Sequence, residues 1–208
     1  MCYFWSDVLI NLKMWPITLT DKELTFRPLR IRDRKAWLSV RAKNRDWLNP
    51  WEATAPLISE SNKPPTFVEM VNFQKREGRA GRIYSFAIWK GSELIGQITL
   101  GGVNYGAYRG GHIGYWIDEE HANQGITTRA VNTVTNFGFN ELKLHRIEIA
   151  LRPENGASKR VAEKAGYIFE GLRPRYLHID GDWRDHICFV MLSEEAPVHG
   201  VLRSLEVR

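Results

Sequence analysis

Apolar residues recur with the period of a strand or a helix along most of the chain, and the first third predicts one strand and two helices. Residues Leu24–Leu29 alternate between apolar and polar side chains, as in a half-buried strand. Arg32–Leu48 then carries apolar residues at helical spacing, and an Asn-Pro pair ends this pattern. After an irregular, proline-containing loop over 52–65, Thr66–Glu77 has the N-cap residue and the spacing of a second helix.

The remaining two thirds of the chain alternate between strand and helix patterns. The predicted elements are, in order, strands Ile83–Trp89 and Glu93–Leu100, a glycine-rich connection over 101–111, strand Ile113–Ile117, a helix from Ile126 to Phe137, strand Arg146–Leu151, a helix from Ala157 to Ala165, extended segments Tyr167–Phe169 and Tyr176–Ile179, and strand His186–Leu192. The strand-helix-strand unit over 113–151 predicts a parallel pair with a right-handed crossover. The hairpins on either side are antiparallel, so the fold class is α/β (α+β), a mixed sheet with helices on both faces.

The length of 208 residues suits a single domain. We expect an N-terminal extension over 1–20, one domain over 21–195 and a tail over 196–208. The apolar stretch in the first fifteen residues has no preceding basic residues and is far too short to cross a bilayer, so no membrane partner is expected. Either Met1 or Met14 could be the true start.

Composition narrows the class of protein only a little. The two cysteines, Cys2 and Cys188, give neither a disulfide framework nor the spacing of a metal site, and they fit a reducing cytoplasm. The net charge of +5 is spread along the chain, which leaves open an anionic partner such as a nucleotide cofactor or a ribosome surface. Direct nucleic-acid recognition is not expected, because no basic helix or aromatic stacking motif is present.

The segment from Ile113 to Phe137 carries the candidate chemistry. A strand leads through a short loop into a helix, and the first turn of a helix offers unpaired N–H groups that attract anions. Gly125 would let the main chain approach a phosphate closely, and Thr127 and Thr128 could add hydroxyl donors. An ordinary strand-to-helix turn could contain the same residues, so this segment alone leaves both interpretations open. The chain lacks the glycine-rich motifs of P-loop and dinucleotide-binding proteins and the serine-hydrolase elbow.

Several strings, in a fixed order, give the chain a family resemblance. It resembles the GNAT acetyltransferase superfamily and, within it, the RimJ-type ribosomal-protein alanine N-acetyltransferases. The strings that carry the resemblance are Leu48–Glu52, Ile113–Ile117, Asn123–Ile126, Arg152–Ser158, Ala165–Gly171 and Tyr176–His186.

The resemblance implies that acetyl-CoA lies in a V between two splayed parallel strands, Ile113–Ile117 and Arg146–Leu151. The pantetheine would pair with the main chain of Tyr115, Trp116 and Ile117. Asn155 would contact the cofactor, and Ser158 would face the thioester sulfur. The pyrophosphate would bind N–H groups in the loop and first helical turn, from Gln124, Gly125, Ile126, Thr127 and Thr128.

The chain departs from the family's pattern in the phosphate loop, at Ala122 and Thr127, and at two catalytic positions. Ala162 stands where many members place a tyrosine, and Ala150 stands where some place a glutamate. We therefore take Ser158 and Glu52 as the candidate catalytic residues, with Trp51, Glu52 and Tyr176 bordering the acceptor. Without a strong base the site suits an N-terminal amine, of which roughly 10% is neutral at pH 7, better than a lysine amine, of which about 0.04% is neutral.

The resemblance thus predicts acetyl transfer to an N-terminal amine, such as alanine of a ribosomal protein or a similar peptide. An acetyltransferase for a polyamine or an aminoglycoside is the alternative within the same class. A non-catalytic acetyl-CoA-binding module is the alternative outside it. An oligomer is possible in every case.

Overall fold

The structure is a computed structural model that describes residues 15–56 and 64–196. The strands are β1 (Leu19–Asp21), β2 (Leu24–Arg27), β3 (Tyr84–Lys90), β4 (Glu93–Asn104), β5 (Gly110–Ile117), β6 (Arg146–Leu151), β7 (Ile168–Ile179) and β8 (Asp182–Leu192). The helices are α1 (Arg34–Lys43), α2 (Arg45–Leu48), α3 (Phe67–Arg79), α4 (Ile126–Asn140) and α5 (Gly156–Lys164), with short 3₁₀ turns at Ile31–Asp33, Asn49–Trp51 and Glu119–His121. Met1 and Met14, the two candidate start residues, lie outside the described residues. Most of the C-terminal tail also lies outside them.

One mixed sheet contains all eight described strands, in the order β1-β2-β3-β4-β5-β6-β8-β7. Every neighbouring pair is antiparallel except β5 and β6, which are parallel. The predicted fold class and the predicted parallel pair are therefore confirmed. The parallel pairing is short, because it joins only Gly110–His112 to Arg146–Glu148 before the two strands separate.

Helices cover the sheet on both faces, and the alternation of side chains along β3 shows the two layers. Phe86 and Ile88 are fully buried in the larger core, which α4 and α5 close. Ala87 and Trp89 point the other way, into a smaller core closed by α1 and α3. None of the helices in the described part of the chain is long and apolar enough to cross a membrane.

The residues just before position 21 belong to the core. Trp15, Ile17 and Leu19 are buried in the larger cluster, and β1 forms a hairpin with β2. Apolar residues alternate over 15–19, as in a half-buried strand. The described part of the expected extension is thus packed against the domain.

The helix predicted over Arg32–Leu48 is interrupted at Asn44, where α1 ends and α2 begins. The buried Asn44 amide donates from Nδ2 to the carbonyl of Val40 at 2.9 Å. Its Oδ1 accepts the main-chain N–H of Glu119 at 2.9 Å. A side-chain amide that bonds main-chain groups competes with helix hydrogen bonding, and here it also ties α1 to the turn before α4.

Two other boundaries differ from prediction. β4 and β5 extend into the glycine-rich connection, because Gly102, with φ of +60°, lies in a bulge with a register shift between Gly101 and Asn104 rather than in a loop. The predicted separate segments Tyr167–Phe169 and Tyr176–Ile179 form one long strand, β7, with two register shifts. β7 is an edge strand, where the proline between these segments costs no ladder hydrogen bond.

A buried carboxylate fixes the loop between β5 and α4. Asp118 is 2% exposed, and it accepts Lys43 Nζ at 3.0 Å and the N–H of Glu120 at 3.2 Å. Burial alone would raise the pKa of this carboxyl, but these donors hold the pKa below its ordinary value. The charged form of Asp118 is therefore the one that stabilises the loop.

We expect Asp118→Asn to lower the free energy of unfolding by about 1–2 kcal/mol at pH 7, because the carboxylate loses its charge-assisted bond. The pKa of Asp118 is lower in the folded than in the unfolded chain, so its contribution is complete above the unfolded value of about 3.9 and is lost as the pH falls through the folded value. In urea titrations the difference between the two proteins should shrink near about pH 3. Glu119→Gln, at an exposed neighbour, is the control. An equal loss in both variants would contradict the assignment.

Candidate active site

A cavity of about 550 Å³ opens where β5 and β6 separate. Its walls come from the end of β5, the start of α4, the start and outer face of α5, and the chain from α1 to residue 53. Residues 115–117, 125–128, 155 and 158 all line it, as do Trp51 and Glu52. The structure thus brings most of the predicted site residues together around one space. Gln124 and Tyr176 are outside this lining set.

The free edge of β5 presents main-chain groups to the cavity. The N–H of Asp118 donates to Ile95 in β4 at 2.7 Å, so by alternation the main-chain groups of Tyr115 and Ile117 face the opposite side, toward β6. Trp47 Nε1 donates to the Ile117 carbonyl from that side at 3.2 Å. The main-chain groups of Trp116 are directed toward β4. Its side chain lies on the face of the sheet that α1 and α3 cover, where its ring centroid is 5.4 Å from that of Trp37.

The start of α4 offers donors without side-chain obstruction. Gly125 is the N-cap with φ of 74°, and a Cβ at this position would meet nothing within 4 Å. The first intrahelical bond runs from the N–H of Arg129 to Gly125, so the N–H groups of Ile126, Thr127 and Thr128 precede the helical ladder. The side chain of Gln124 is used locally, since its Nε2 donates to the Glu120 carbonyl at 2.8 Å.

Arg129 does not serve the cavity. Its guanidinium binds the carboxylates of Asp21 at 2.7 Å and Glu23 at 2.8 Å, which fastens the β1–β2 hairpin to α4. The guanidinium is therefore committed to the hairpin, and Arg129 is not among the residues that line the cavity.

The opposite wall begins at the N-cap of α5. Asn155 Oδ1 accepts the N–H of Ser158 at 2.9 Å, which places Ser158 in the first helical turn, half-buried and lining the cavity. The hydroxyl of Tyr115 donates to the Ser158 carbonyl at 3.3 Å and so spans the gap between β5 and α5. Burial raises the pKa of Tyr115 to about 12, so this phenol is neutral at pH 7.

The third wall is aromatic and contains an ion pair. Trp47, Leu48 and Trp51 lie on it, and the Glu52 carboxylate is paired with the Arg41 guanidinium. Arg41 lies over the ring of Trp116, at 5.2 Å from its centroid. Cation–π contact and ion pairing together hold Arg41 and Glu52 at the cavity.

Residues 52–54 are fastened to the turn between β7 and β8. Ala53 forms an isolated bridge with Ile179. The N–H of Thr54 donates to His178 at 2.9 Å, and the N–H of Asp180 donates to Glu52 at 3.1 Å. This strap, defined as residues 52–54, is thus anchored to a segment that is distant in sequence.

Tyr176 lies apart from the cavity lining. Its hydroxyl accepts Arg173 Nη1 at 3.1 Å, and its ring meets the ring of His186 edge-on at 5.9 Å. A substrate role for Tyr176 stays a prediction.

Sequence reasoning missed three cations that line the cavity, Arg41, Arg160 and Lys164. A signal was available for two of them, because Arg160 and Lys164 are four residues apart and so share one face of α5. The third, Arg41, reaches the site only through the packing of α1 on β5, which no local pattern shows.

Comparison with known proteins agrees with this geometry. Residues 23–168 match the model of the acetyltransferase (GNAT) domain. Bacillus subtilis YjcK, a probable N-acetyltransferase, is 32% identical over 191 residues, which cover 85% of this chain and 98% of that protein. The ribosomal protein uS5-alanine N-acetyltransferase of Escherichia coli is 29% identical, with 86% and 92% covered. The structure of Mycobacterium smegmatis RimJ in complex with CoA-disulfide has a TM-score of 0.78 at 33% identity, with 88% of this chain and 90% of that chain covered.

The chain belongs to the GNAT acetyltransferase family. It is an N-acetyltransferase, and acetyl-CoA is its cosubstrate. The cavity suits such a group, because a main-chain edge, a helix start with open space around Gly125 and cationic side chains line a single space. When bound, acetyl-CoA supplies an acetyl group activated as a thioester.

We expect Gly125→Ala to destabilise the protein by about 1 kcal/mol, because an L-residue is strained at this positive φ. It should also weaken the binding of CoA, since relief of the strain moves the first N–H groups of α4. Urea titration and calorimetry with CoA would measure both effects.

Gly114→Ala is the matched control, because a Cβ there also meets nothing within 4 Å and the φ of Gly114 is not in the positive range. Equal effects in the two variants would show that the left-handed turn at Gly125 is not what matters.

Proposed function

We propose that the protein acetylates the N-terminal α-amine of a protein or peptide, with the N-terminal alanine of a ribosomal protein as the first acceptor to test. Two relatives at about 30% identity are supporting evidence, one of them named for the alanine of ribosomal protein uS5 and the other for RimJ. The acceptor itself must be argued from the charges and the walls of the site.

The observation that carries the proposal is the charge of the cavity. The acceptor wall contributes one carboxylate, Glu52, and one cation, Arg41, to the lining, while Glu154, Arg160 and Lys164 lie on the side of α5. Both carboxylates are already paired, Glu52 with Arg41 and Glu154 with Arg152 at 3.3 Å. A polycation such as a polyamine or an aminoglycoside would need an acidic cleft, so this balance disfavours the alternative acceptors.

The cofactor roles follow from the positions of the lining groups. The main-chain groups of Tyr115 and Ile117 would pair with the pantetheine. The main-chain groups of Trp116 point toward β4, so Trp116 would contribute only by positioning its two neighbours. The N–H groups from Gly125 to Thr128, with the two threonine hydroxyls, would hold the pyrophosphate. Asn155 would bind through its amide nitrogen, because its Oδ1 already accepts the N–H of Ser158. Gln124 would contribute only its main-chain N–H to the pyrophosphate, because its side chain already donates to the Glu120 carbonyl.

The catalytic proposal relies on orientation more than on a strong base. An α-amine with a pKa of about 7.7–8.0 has a substantial neutral fraction at pH 7, so it needs positioning rather than forced deprotonation. Glu52, at the strap beside Trp51, would orient the amine and accept its proton. The Ser158 hydroxyl, exposed to the cavity in the first turn of α5, would donate to the sulfur as the thiolate departs.

The acceptor is tested by measuring thiol release with an alanine-starting peptide, the same peptide with a blocked N-terminus but a free lysine, and spermidine. We expect release with the free N-terminus only, and a rate that rises about tenfold per pH unit below about pH 7.7 before levelling. Intact-mass and fragment analysis would place the acetyl group. Acetylation of lysine alone or of spermidine alone, or no release with any acceptor, would overturn the proposal.

Ser158→Ala and Glu52→Gln should differ in their kinetics. Ser158→Ala keeps the main-chain bond to Asn155 and should lower kcat on the order of 100-fold with little change in the KM for acetyl-CoA. Glu52→Gln should chiefly raise the KM for the peptide, by about tenfold. Ser193→Ala, whose hydroxyl bonds Glu194 outside the lining set, is the control. A Ser158→Ala enzyme with normal kcat, or a Glu52→Gln enzyme with normal peptide KM, would remove that residue from the mechanism.

A further inference from the structure

The outer part of α5 carries two cations that line the cavity and have no ion-pair partner among the residues that the structure describes. Arg160 and Lys164 both line it, and neither has a carboxylate oxygen within 4.0 Å in the ranges 15–56 and 64–196. The third lining cation, Arg41, is paired with Glu52. On the same helix Lys159 lies outside the lining set and is paired with Glu163 at 3.9 Å. The positive charge left uncompensated is thus on the cavity side of α5.

The two side chains are arranged to act on one anion. Residues four apart in a helix lie one above the other, with Cβ atoms about 5–6 Å apart. The guanidinium of Arg160 folds back over the first turn, where its Nη1 is 3.6 Å from a Cβ position on Gly156. Helical side chains lean toward the N-terminus, so Lys164 leans toward the turn of Arg160. A phosphate at this face would meet an ammonium and a guanidinium together.

We propose that Arg160 and Lys164 bind the 3′-phosphate of coenzyme A and make the enzyme selective for CoA thioesters over dephospho-CoA thioesters. The inference rests on acetyl-CoA as the cosubstrate and does not depend on the acceptor. The two residues are positioning groups for the nucleotide end of the cofactor, and they take no part in the acetyl transfer.

The charge of the ligand decides which phosphate these residues bind. The main-chain N–H groups at the start of α4 already offer several donors to the pyrophosphate. Each phosphate of that bridge has one ionised oxygen, whereas a phosphomonoester carries about −1.5 to −2 at pH 7 and has three acceptor oxygens. Long cationic side chains on a different helix match the monoester, which has the higher charge and is attached through a single ester bond.

The selectivity is tested by calorimetric titration of the full chain with CoA and with dephospho-CoA, in the absence of any acceptor. We expect the unmodified protein to bind CoA at least about tenfold more tightly, as for two partly exposed charge-assisted contacts. The double variant Arg160→Gln/Lys164→Gln should reduce this ratio below about threefold by weakening CoA while leaving dephospho-CoA nearly unchanged. Lys159→Gln removes a charge from the same helix and should keep the ratio.

A second measurement needs no variant. The second pKa of a phosphomonoester is about 6, so the preference of the unmodified protein for CoA should decrease between about pH 7.5 and about pH 5.5. The proposal is overturned if the unmodified protein does not discriminate, if the double variant weakens both ligands equally, which would assign the cations to the pyrophosphate, or if Lys159→Gln lowers the ratio as much as the double variant.

Discussion

The site depends on the early separation of two parallel strands. β5 and β6 pair over only three residues each, and beyond His112 the main chain of β5 has a partner on one side alone. Unpaired main-chain groups are costly when buried and away from water. A separated pair is therefore stable only where something else satisfies that edge, and here Trp47 caps one carbonyl while the rest faces a cavity. The same separation leaves room for the starts of α4 and α5 to face each other.

Much of the fold could be predicted because its signals are local. The strand-helix-strand unit over 113–151 and the alternation in β3 depend on residue period, and the structure has both. The predicted element bounds were wrong where a side-chain hydrogen bond or a bulge overrides the local sequence pattern. Asn44 ends α1 through bonds that reach 75 residues along the chain, and Gly102 bends a strand where the composition favoured a loop.

The cofactor side of the site could be predicted further than the acceptor side, for a physical reason. Gly125, Asn155 and Ser158 belong to turns and caps, whose residue types are set by the main chain a few positions away. The acceptor wall is made by long-range contacts, such as Arg41 with Glu52 across α2 and Thr54 with His178 across most of the chain. Contacts of that kind leave no periodic pattern in the sequence. The family resemblance supplied the candidates there.

The strap has a consequence for how such a protein can change over generations. In the proposed function the acceptor would meet lining residues between 47 and 53, a segment that the turn between β7 and β8 holds in place, whereas the cofactor would meet β5, α4 and α5. Drift in the first pair of segments can alter which amine is accepted while the second set stays under constraint. Diversification of such an enzyme should therefore concentrate in two short stretches. Positions 54 and 178 should vary together, because the Thr54 hydroxyl bonds the His178 ring at 2.8 Å, whereas the main-chain bridge between Ala53 and Ile179 places no such demand on side chains.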